Sequence, residues 1–142
     1  MTGQVDSERN LNIARRWFTE GWAGNIALAD DIFSESVRTN GVAVGVAGPK
    51  RRIQERLTGF PDLSVDIEDM FSARDKIVTR LVWRGTHTGS YAGIKATGKR
   101  VQVPDFATWR FEDGKVVEIS TIQDQFALLK QVGYLPDDVY AA

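Results

Sequence analysis

The stretch that decides the fold reads LVWRGTHTGSYAGIKATG and spans residues 81–98. Its first half alternates with a period of two, which is typical of a β-strand. The alternation places His87, the only histidine of the chain, on the same face as Leu81 and Trp83. Glycines then mark a turn toward a further strand. The pattern predicts a strand that directs one imidazole toward an apolar interior.

Length and composition limit the possible functions. The 142 residues predict a single domain over residues 1–142, and 42% apolar with 26% charged residues is typical of a soluble globular protein. A net charge of −1 without a block of like charges argues against nucleic acid or an anionic membrane as a partner. The basic run at residues 50–52 is interpreted as the solvated face of a helix.

Residue counts and the chain's beginning exclude further classes. With no cysteine and one histidine, disulfides, thiolate nucleophiles and the usual zinc sites are excluded, so we expect no metal. The polar first ten residues do not resemble a signal peptide, and no apolar run is long enough to span a membrane. A cytoplasmic location is expected.

The periodicity changes from helical in the first half of the chain to alternating in the second. Helices are expected from Ser7, as N-cap, to about Trp22, after Asn25 to about residue 33, over residues 48–57 and over residues 125–132, with a short strand or hairpin over 37–46. Long strands are expected over residues 64–71, 76–88, 99–111 and 115–122. This order predicts an α+β fold: a strongly curved antiparallel sheet forms a cone closed by the N-terminal helices, and a short C-terminal helix follows.

One charged residue interrupts an apolar strand face. The face of the third long strand that carries Trp109 is apolar except at Asp105. An unpaired buried carboxylate costs several kcal/mol, so Asp105 must be paired, protonated or near water in a cavity. Pro104 predicts an edge or a bulge, which could instead turn Asp105 toward solvent. We interpret Asp105 as facing inward.

The other candidate residues have simpler structural explanations. Asp124 lies between the last strand and the last helix, where an N-cap is the simpler interpretation. A lone histidine near a strand end, such as His87, is more often a hydrogen-bonded structural residue than a catalyst. Trp22, Trp83 and Trp109 could line a pocket for a flat ligand or belong to the core. The residues alone do not select a reaction.

Several short motifs together resemble the SnoaL-like polyketide cyclases of the nuclear-transport-factor-2-like, or ketosteroid-isomerase-like, superfamily. They are WRGTHTG at 83–89, GI at 93–94, TG at 97–98, FEDGKV at 111–116 and QVG at 131–133. The resemblance covers nearly the whole chain. It implies an α+β cone, a homodimer or higher homo-oligomer, a deep apolar pocket for a small apolar or aromatic polyketide-like substrate, and no cofactor.

The resemblance also implies roles for individual residues. Asp124, nine residues before Gly133, matches the acid/base aspartate of the cyclases, and His87 matches the histidine of their GTHxG segment. Asp105 stands at a pocket-facing position that is usually glutamine. Residues 119–122 read ISTI, where the cyclases carry a His-x-Asp-Trp-type run. The expected substrate-binding residues are Trp83, Trp109, Trp22 and Tyr91.

These roles predict a cofactor-independent cyclase or isomerase of secondary metabolism that acts on a polyketide-like or polycyclic carbonyl compound. In an intramolecular aldol closure, Asp124 would remove a proton α to a carbonyl, and His87 would position Asp124 or protonate the accepting carbonyl. A neutral Asp105 would donate a hydrogen bond to the enolate oxygen.

Three alternatives stay open. Hydroxylase-type tailoring proteins share the fold but tend to lack the final aspartate. Epoxide-opening enzymes of the fold use an Asp-Arg-Asp arrangement, and here the arginine is expected to be missing, since Arg84 faces away from His87. A non-catalytic small-ligand-binding module is the third alternative, although it has little reason to bury Asp105.

Overall fold

A computed structural model of the protein describes residues 2–139, with side chains from residue 6 onward. Its helices are α1 (Thr2–Arg16), α2 (Ala29–Ile32), α3 (Ala47–Gly59) and α4 (Gln125–Gln131). Its strands are β1 (Phe33–Thr39), β2 (Val42–Ala43), β3 (Ser64–Ala73), β4 (Lys76–Thr86), β5 (Arg100–Glu112) and β6 (Lys115–Gln123). Within residues 2–139, no helix is long and apolar enough to cross a membrane.

The strands form one curled sheet that does not close, in the order β2-β1-β6-β5-β4-β3. Strands β3 to β6 form the antiparallel meander that the sequence predicts. Strand β1 instead runs parallel to β6, with Thr39 opposite Ile119. The expectation of a wholly antiparallel sheet is therefore wrong at this edge. The α+β cone itself is confirmed.

The helical half differs from the prediction at several boundaries. Helix α1 begins at Thr2, so Ser7 lies inside the helix and the predicted N-cap is wrong. The helix continues as a π-helical turn over Trp17–Gly21, where a Cβ on Gly21 would lie 2.3 Å from the Trp17 ring. The expected second helix is a 3₁₀ turn, Ile26–Leu28, followed by α2, and Phe33 already belongs to β1.

The core lies between the concave face of the sheet and the helices. Odd-numbered residues of β5 from Val101 to Phe111 are buried, as the alternation predicts. The ring of Trp109 packs against Phe18 and Phe33 at centroid distances of 5.4 and 6.1 Å. Such aromatic pairs contribute about 0.5–1.5 kcal/mol each beyond their buried area.

Pro104 does not lie at a bulge but where the pairing of β5 with β6 ends. The β4–β5 register runs unbroken through Val82 opposite Pro104. On the other side, the β5–β6 ladder extends only to Asp105 opposite Gln123, and the Pro104 carbonyl accepts the Asp124 N–H over 2.9 Å. Proline is tolerated at this position because the N–H that it lacks would point past the end of β6, where the ladder has already stopped. Asp105 therefore keeps its inward direction.

Candidate active site

The candidate active site is built around an ion pair between β5 and α3. Asp105 faces the concave side of the sheet and is 4% exposed. Arg56, one turn before the end of α3, is 3% exposed, and its Nη2 lies 3.5 Å from Asp105 Oδ2. Both charges are removed from water, which is costly unless each has further polar contacts.

Strand β6 supplies those contacts. The Thr121 hydroxyl donates to Asp105 Oδ1 over 3.1 Å, and Arg56 Nη2 donates to Gln123 Oε1 over 3.0 Å. The Gln123 amide also lies 3.4 Å from the Tyr91 hydroxyl. We call Arg56, Asp105, Thr121 and Gln123 the polar cluster. Its four side chains form one connected network across three elements of the fold.

Two indole rings hold the guanidinium in place. Arg56 Cζ lies 4.6 Å from the centroid of the Trp22 ring and 5.6 Å from that of the Trp83 ring. A cation over an aromatic face gains up to about 2 kcal/mol when it is desolvated. Stacking and the hydrogen bond to Gln123 together fix the direction from which Arg56 approaches Asp105.

Burial shifts the protonation equilibria of both charged groups. Loss of solvation raises the pKa of the Asp105 carboxyl, and this outweighs the lowering effects of Arg56 and of the Thr121 hydroxyl. Burial also lowers the pKa of Arg56, against the raising effects of Tyr91 and Asp105. A guanidinium stays charged at neutral pH. Asp105 is thus the member of the cluster that can exchange a proton.

The polar cluster borders a cavity of about 50 Å³, which has room for a few water molecules. Asp105, Arg56 and Thr121 line its polar side. Its apolar walls are largely aromatic and include Trp17, Phe18, Trp22 and Trp109. The arrangement can hold the carbonyl end of an aromatic molecule against a carboxyl group that is poorly solvated.

The family model for the SnoaL-like polyketide cyclases matches residues 12–132. The chain belongs to this family. No curated protein is a significant match. Among solved structures, the chain is similar to a protein of Jannaschia sp. CCS1 that is proposed to be a SnoaL-like polyketide cyclase, at 25% identity and a TM-score of 0.82, over 92% of this chain and 95% of that one.

Two further similar structures belong to proteins for which different activities are proposed. AclR of Streptomyces galilaeus, proposed to be a hydroxylase, is 26% identical with a TM-score of 0.80, over 92% of this chain and 83% of AclR. IdmH of Streptomyces antibioticus, proposed to be a polyketide cyclase, is 22% identical with a TM-score of 0.77, over 87% of this chain and 98% of IdmH. The likeness to IdmH shows the fold alone.

In this SnoaL-like protein, His87 is buried but does not line the cavity. It is 1% exposed, and its ring stacks on Phe60 at a centroid distance of 5.3 Å. Its Nδ1 lies 2.9 Å from the Thr97 hydroxyl and accepts the Thr97 N–H over 3.3 Å. These contacts join the end of β4 to the following loop.

Asp124 lies at the start of α4 and is exposed. Its Oδ1 accepts the Ala127 N–H over 2.9 Å, which is the N-cap geometry that the sequence favours. It does not line the cavity either. The structure therefore brings only Asp105, of the three predicted catalytic residues, to the cavity. The catalytic roles of His87 and Asp124 stay predictions.

The predicted substrate-binding residues also separate into two groups. Trp22 and Trp109 line the cavity. Trp83 is fully buried and packs against Arg56 without lining the cavity, and Tyr91 contacts the polar cluster through Gln123. Within the described residues, no group of three His, Cys, Asp or Glu side chains could hold a metal ion.

Sequence reasoning missed three members of the polar cluster. Arg56 follows Pro49 and Ile53 at helical spacing, and all three are buried, so its place on the apolar face of α3 was a usable signal. It also overturns the expectation that a site arginine is missing, since the arginine comes from α3 and not from β4. Thr121 and Gln123 gave no clear signal, because neither face of β6 is uniformly apolar.

Proposed function

We propose that this SnoaL-like protein is a cofactor-independent acid/base enzyme of secondary metabolism that closes a ring in a polyketide-like carbonyl substrate. Asp105 is the proposed proton carrier. The observation that carries the proposal is its position: a buried carboxyl with a raised pKa at the wall of an aromatic cavity. A general base works best when its pKa lies near the operating pH, and burial moves Asp105 in that direction.

The proposed reaction is an intramolecular aldol addition. The Asp105 carboxylate takes a proton from the carbon next to a substrate carbonyl, and the C–H bonding electrons form an enolate. The enolate carbon bonds to a second carbonyl carbon of the same molecule, whose C=O π bond breaks. The resulting alkoxide takes the proton back from Asp105, so atoms and charge balance. The Arg56 cation lowers the energy of the anionic intermediates.

The polar cluster orients Asp105 for this task. Thr121 fixes one carboxylate oxygen by a hydrogen bond, and Gln123 holds Arg56 from the same strand. Asp105 is proposed ahead of Asp124 because Asp124 is exposed and caps α4. His87 is proposed to act at a distance, by fixing the loop that follows β4.

The cavity has to enlarge to admit a polycyclic molecule, since ligand pockets usually measure about 300–1,000 Å³. An adjoining groove of about 280 Å³ shares Phe18 and Trp22 with the cavity and is otherwise lined by residues such as Leu63, Val65 and Ile67. A movement of these two rings would join the groove and the cavity. The reacting carbonyl would then lie at Asp105 and the remaining rings in the groove.

The proposal is tested by proton exchange at carbon, which requires no knowledge of the natural substrate. The protein is incubated in D₂O with 2-tetralone, a bicyclic ketone, and loss of the α-proton signal is followed by NMR. Asp105→Asn should lower the exchange rate by about 10²–10⁴. Asp124→Asn makes the same chemical change in a residue outside the cavity and should leave most of the rate.

Each result discriminates between the two aspartates. Loss of exchange in the Asp124 variant alone would return the acid/base role to Asp124, as the family resemblance implies. Full exchange in both variants would contradict the acid/base mechanism. Binding of the ketone without any exchange would favour the small-ligand-binding module.

Epoxide opening is a second candidate, and the Arg56–Asp105 pair favours it. Asp105 would take a proton from water as the water oxygen attacks an epoxide carbon and the C–O bond breaks, and the alkoxide would take that proton back from Asp105 to give a diol. Styrene oxide in ¹⁸O-labelled water tests this reaction, because a diol with one labelled oxygen is its product. The hydroxylase alternative is supported only by the likeness to AclR.

A second copy of this chain is the proposed partner. Phe106 and Ile122 are cross-strand neighbours on the outer face of the sheet and are 49% and 71% exposed. Phe71 and its neighbour Val78 extend this face along β3 and β4. Exposed apolar patches of this kind often mark interaction sites. Ile122→Lys should convert a dimer to monomer in sedimentation experiments, and an unchanged mass would exclude this face.

A further inference from the structure

Two neighbouring side chains that line the cavity each have a buried hydrogen-bond donor without an acceptor among the described residues. The donors are Arg56 Nε and Trp22 Nε1. The two side chains are stacked, with Arg56 Cζ 4.6 Å from the centroid of the Trp22 ring, and Trp22 is only 6% exposed. An unmade hydrogen bond at a buried N–H is costly, and two such groups in one stacked pair require an explanation.

Trp109, another indole of the aromatic wall, differs from Trp22 in this respect. The Trp109 indole also lines the cavity, but its N–H donates to the Thr79 hydroxyl over 3.2 Å. Trp83 Nε1 and His87 Nε2 lack acceptors too, yet neither side chain lines the cavity. Among the described residues that have such an unpaired donor, only Trp22 and Arg56 also line the cavity.

We propose that Trp22 Nε1 and Arg56 Nε form a subsite for a single oxyanion, such as a carboxylate, phenolate or enolate oxygen, at the end of an aromatic ligand. The Arg56 cation supplies the charge and the two N–H groups supply direction, which is the usual composition of an anion site. The cavity accommodates the oxygen-bearing end, and the ring of the ligand lies against the aromatic wall.

The subsite is coupled to Asp105, because an anion and an ionised carboxylate would share one cation. Besides Asp105 and Arg56, the charged or titratable groups that act on the pair are Arg52 and Glu55 of α3 and Tyr91 of the loop after β4. Binding of an oxyanion therefore favours the protonated form of Asp105. Affinity should fall as the pH rises through the titration of Asp105, and binding should take up a proton.

This inference rests on the same cavity as the proposed function, but it is tested by binding and not by turnover. The probe is benzoate, with benzamide as its neutral counterpart. The protein is labelled with ¹⁵N, so that its four tryptophans give four indole N–H signals. Benzoate should move the signal that is missing from Trp22→Phe, since the oxyanion accepts that proton.

Affinities are measured from the same titrations between pH 5.5 and 8. Wild-type protein should bind benzoate at least ten-fold more tightly than benzamide, and more tightly at pH 5.5 than at pH 8. Trp22→Phe keeps an aromatic ring beside Arg56 and should weaken benzoate binding about ten-fold or more, the usual effect of a lost hydrogen bond to a charged group. Asp105→Asn should bind benzoate independently of pH.

Trp83→Phe is the matched comparison, because it removes the same N–H from the second indole beside Arg56, which does not line the cavity. Equal weakening by both tryptophan variants would overturn the subsite. Equal affinity of the wild-type protein for benzoate and benzamide would also overturn it, and this comparison needs no variant to fold. Loss of benzoate binding with intact ketone exchange would reject the subsite alone. Loss of exchange in Asp105→Asn with retained benzoate binding would support both proposals.

Discussion

Asp105 in β5 and Asp124, just after the neighbouring strand β6, lie in opposite environments, since one side chain is buried and the other is exposed. Asp105 is the cross-strand partner of Gln123, the residue that precedes Asp124. Asp105 faces the interior beside a buried cation, whereas Asp124 is exposed and holds the first turn of α4. The buried carboxyl of Asp105 is the one proposed to exchange a proton, and the exposed carboxyl of Asp124 caps α4. The surroundings of a carboxyl, and not its place in a motif, decide which task it can perform.

The largest expected difference between Asp105 and Asp124 is in how much each side chain contributes to the stability of the fold. Asp105→Ala leaves the buried Arg56 without its carboxylate, and a guanidinium cannot lose its charge at neutral pH. The free energy of unfolding in urea should fall by about 3–5 kcal/mol. Asp105→Asn keeps an acceptor for Arg56 and should lower the free energy of unfolding much less. Equal losses in the two variants would show that the ion pair does not stabilise Arg56.

The stability of the fold should depend on pH through the titration of Asp105. Since the folded pKa of Asp105 is raised, the carboxyl stabilises the fold fully below its unfolded pKa of about 3.9, and this contribution is lost as the pH rises through the folded pKa. The loss amounts to about 1.4 kcal/mol for each unit by which the two pKa values differ.

Urea unfolding of wild-type protein and Asp105→Asn at several pH values measures this effect. The advantage of wild-type protein over Asp105→Asn should shrink as the pH rises above about 4. Parallel profiles for wild-type protein and Asp105→Asn would mean that burial does not shift Asp105.

The smallest expected effect concerns the cap of α4. Asp124→Ala removes the acceptor of the Ala127 N–H and should cost about 0.5–2 kcal/mol in thermal or urea unfolding. Asp124→Asn should restore most of this loss, because asparagine is an equally good N-cap. If Asp124→Ala slowed ketone exchange without lowering the free energy of unfolding, this would instead indicate a catalytic role for Asp124.

The inward direction of Asp105 could be predicted from sequence because a strand repeats with the simplest period. Five apolar residues share its face, and the alternation persists through the whole of β5. The capping role of Asp124 was equally accessible, since it depends only on the residues that follow. Local patterns of this kind need no knowledge of the partner elements.

The polar cluster could not be assembled in the same way. Arg56 stands 49 residues before Asp105 in sequence, and its buried place is recognisable only once Pro49 and Ile53 are assigned to the same helix face. Strand β6 gave an ambiguous pattern because its register with β5 shifts between Arg110 and Phe111. Such a shift moves side chains between faces, so Thr121 and Gln123 could not be placed by alternation.

The parallel pairing of β1 with β6 determines at which stage of folding the sheet can be completed. Strand β1 lies in the first third of the given sequence, and its neighbour in the sheet, β6, is the last of the described strands along the chain. Contacts between residues far apart in sequence form slowly, because a long loop must close before they are made. Until β6 pairs with β1, β1 keeps an open edge, and the buried ion pair lacks its hydrogen bonds with Gln123 and Thr121 of β6. The polar cluster is therefore completed only when β6 joins the sheet, although Asp105 of β5 already supplies the charge that neutralises Arg56.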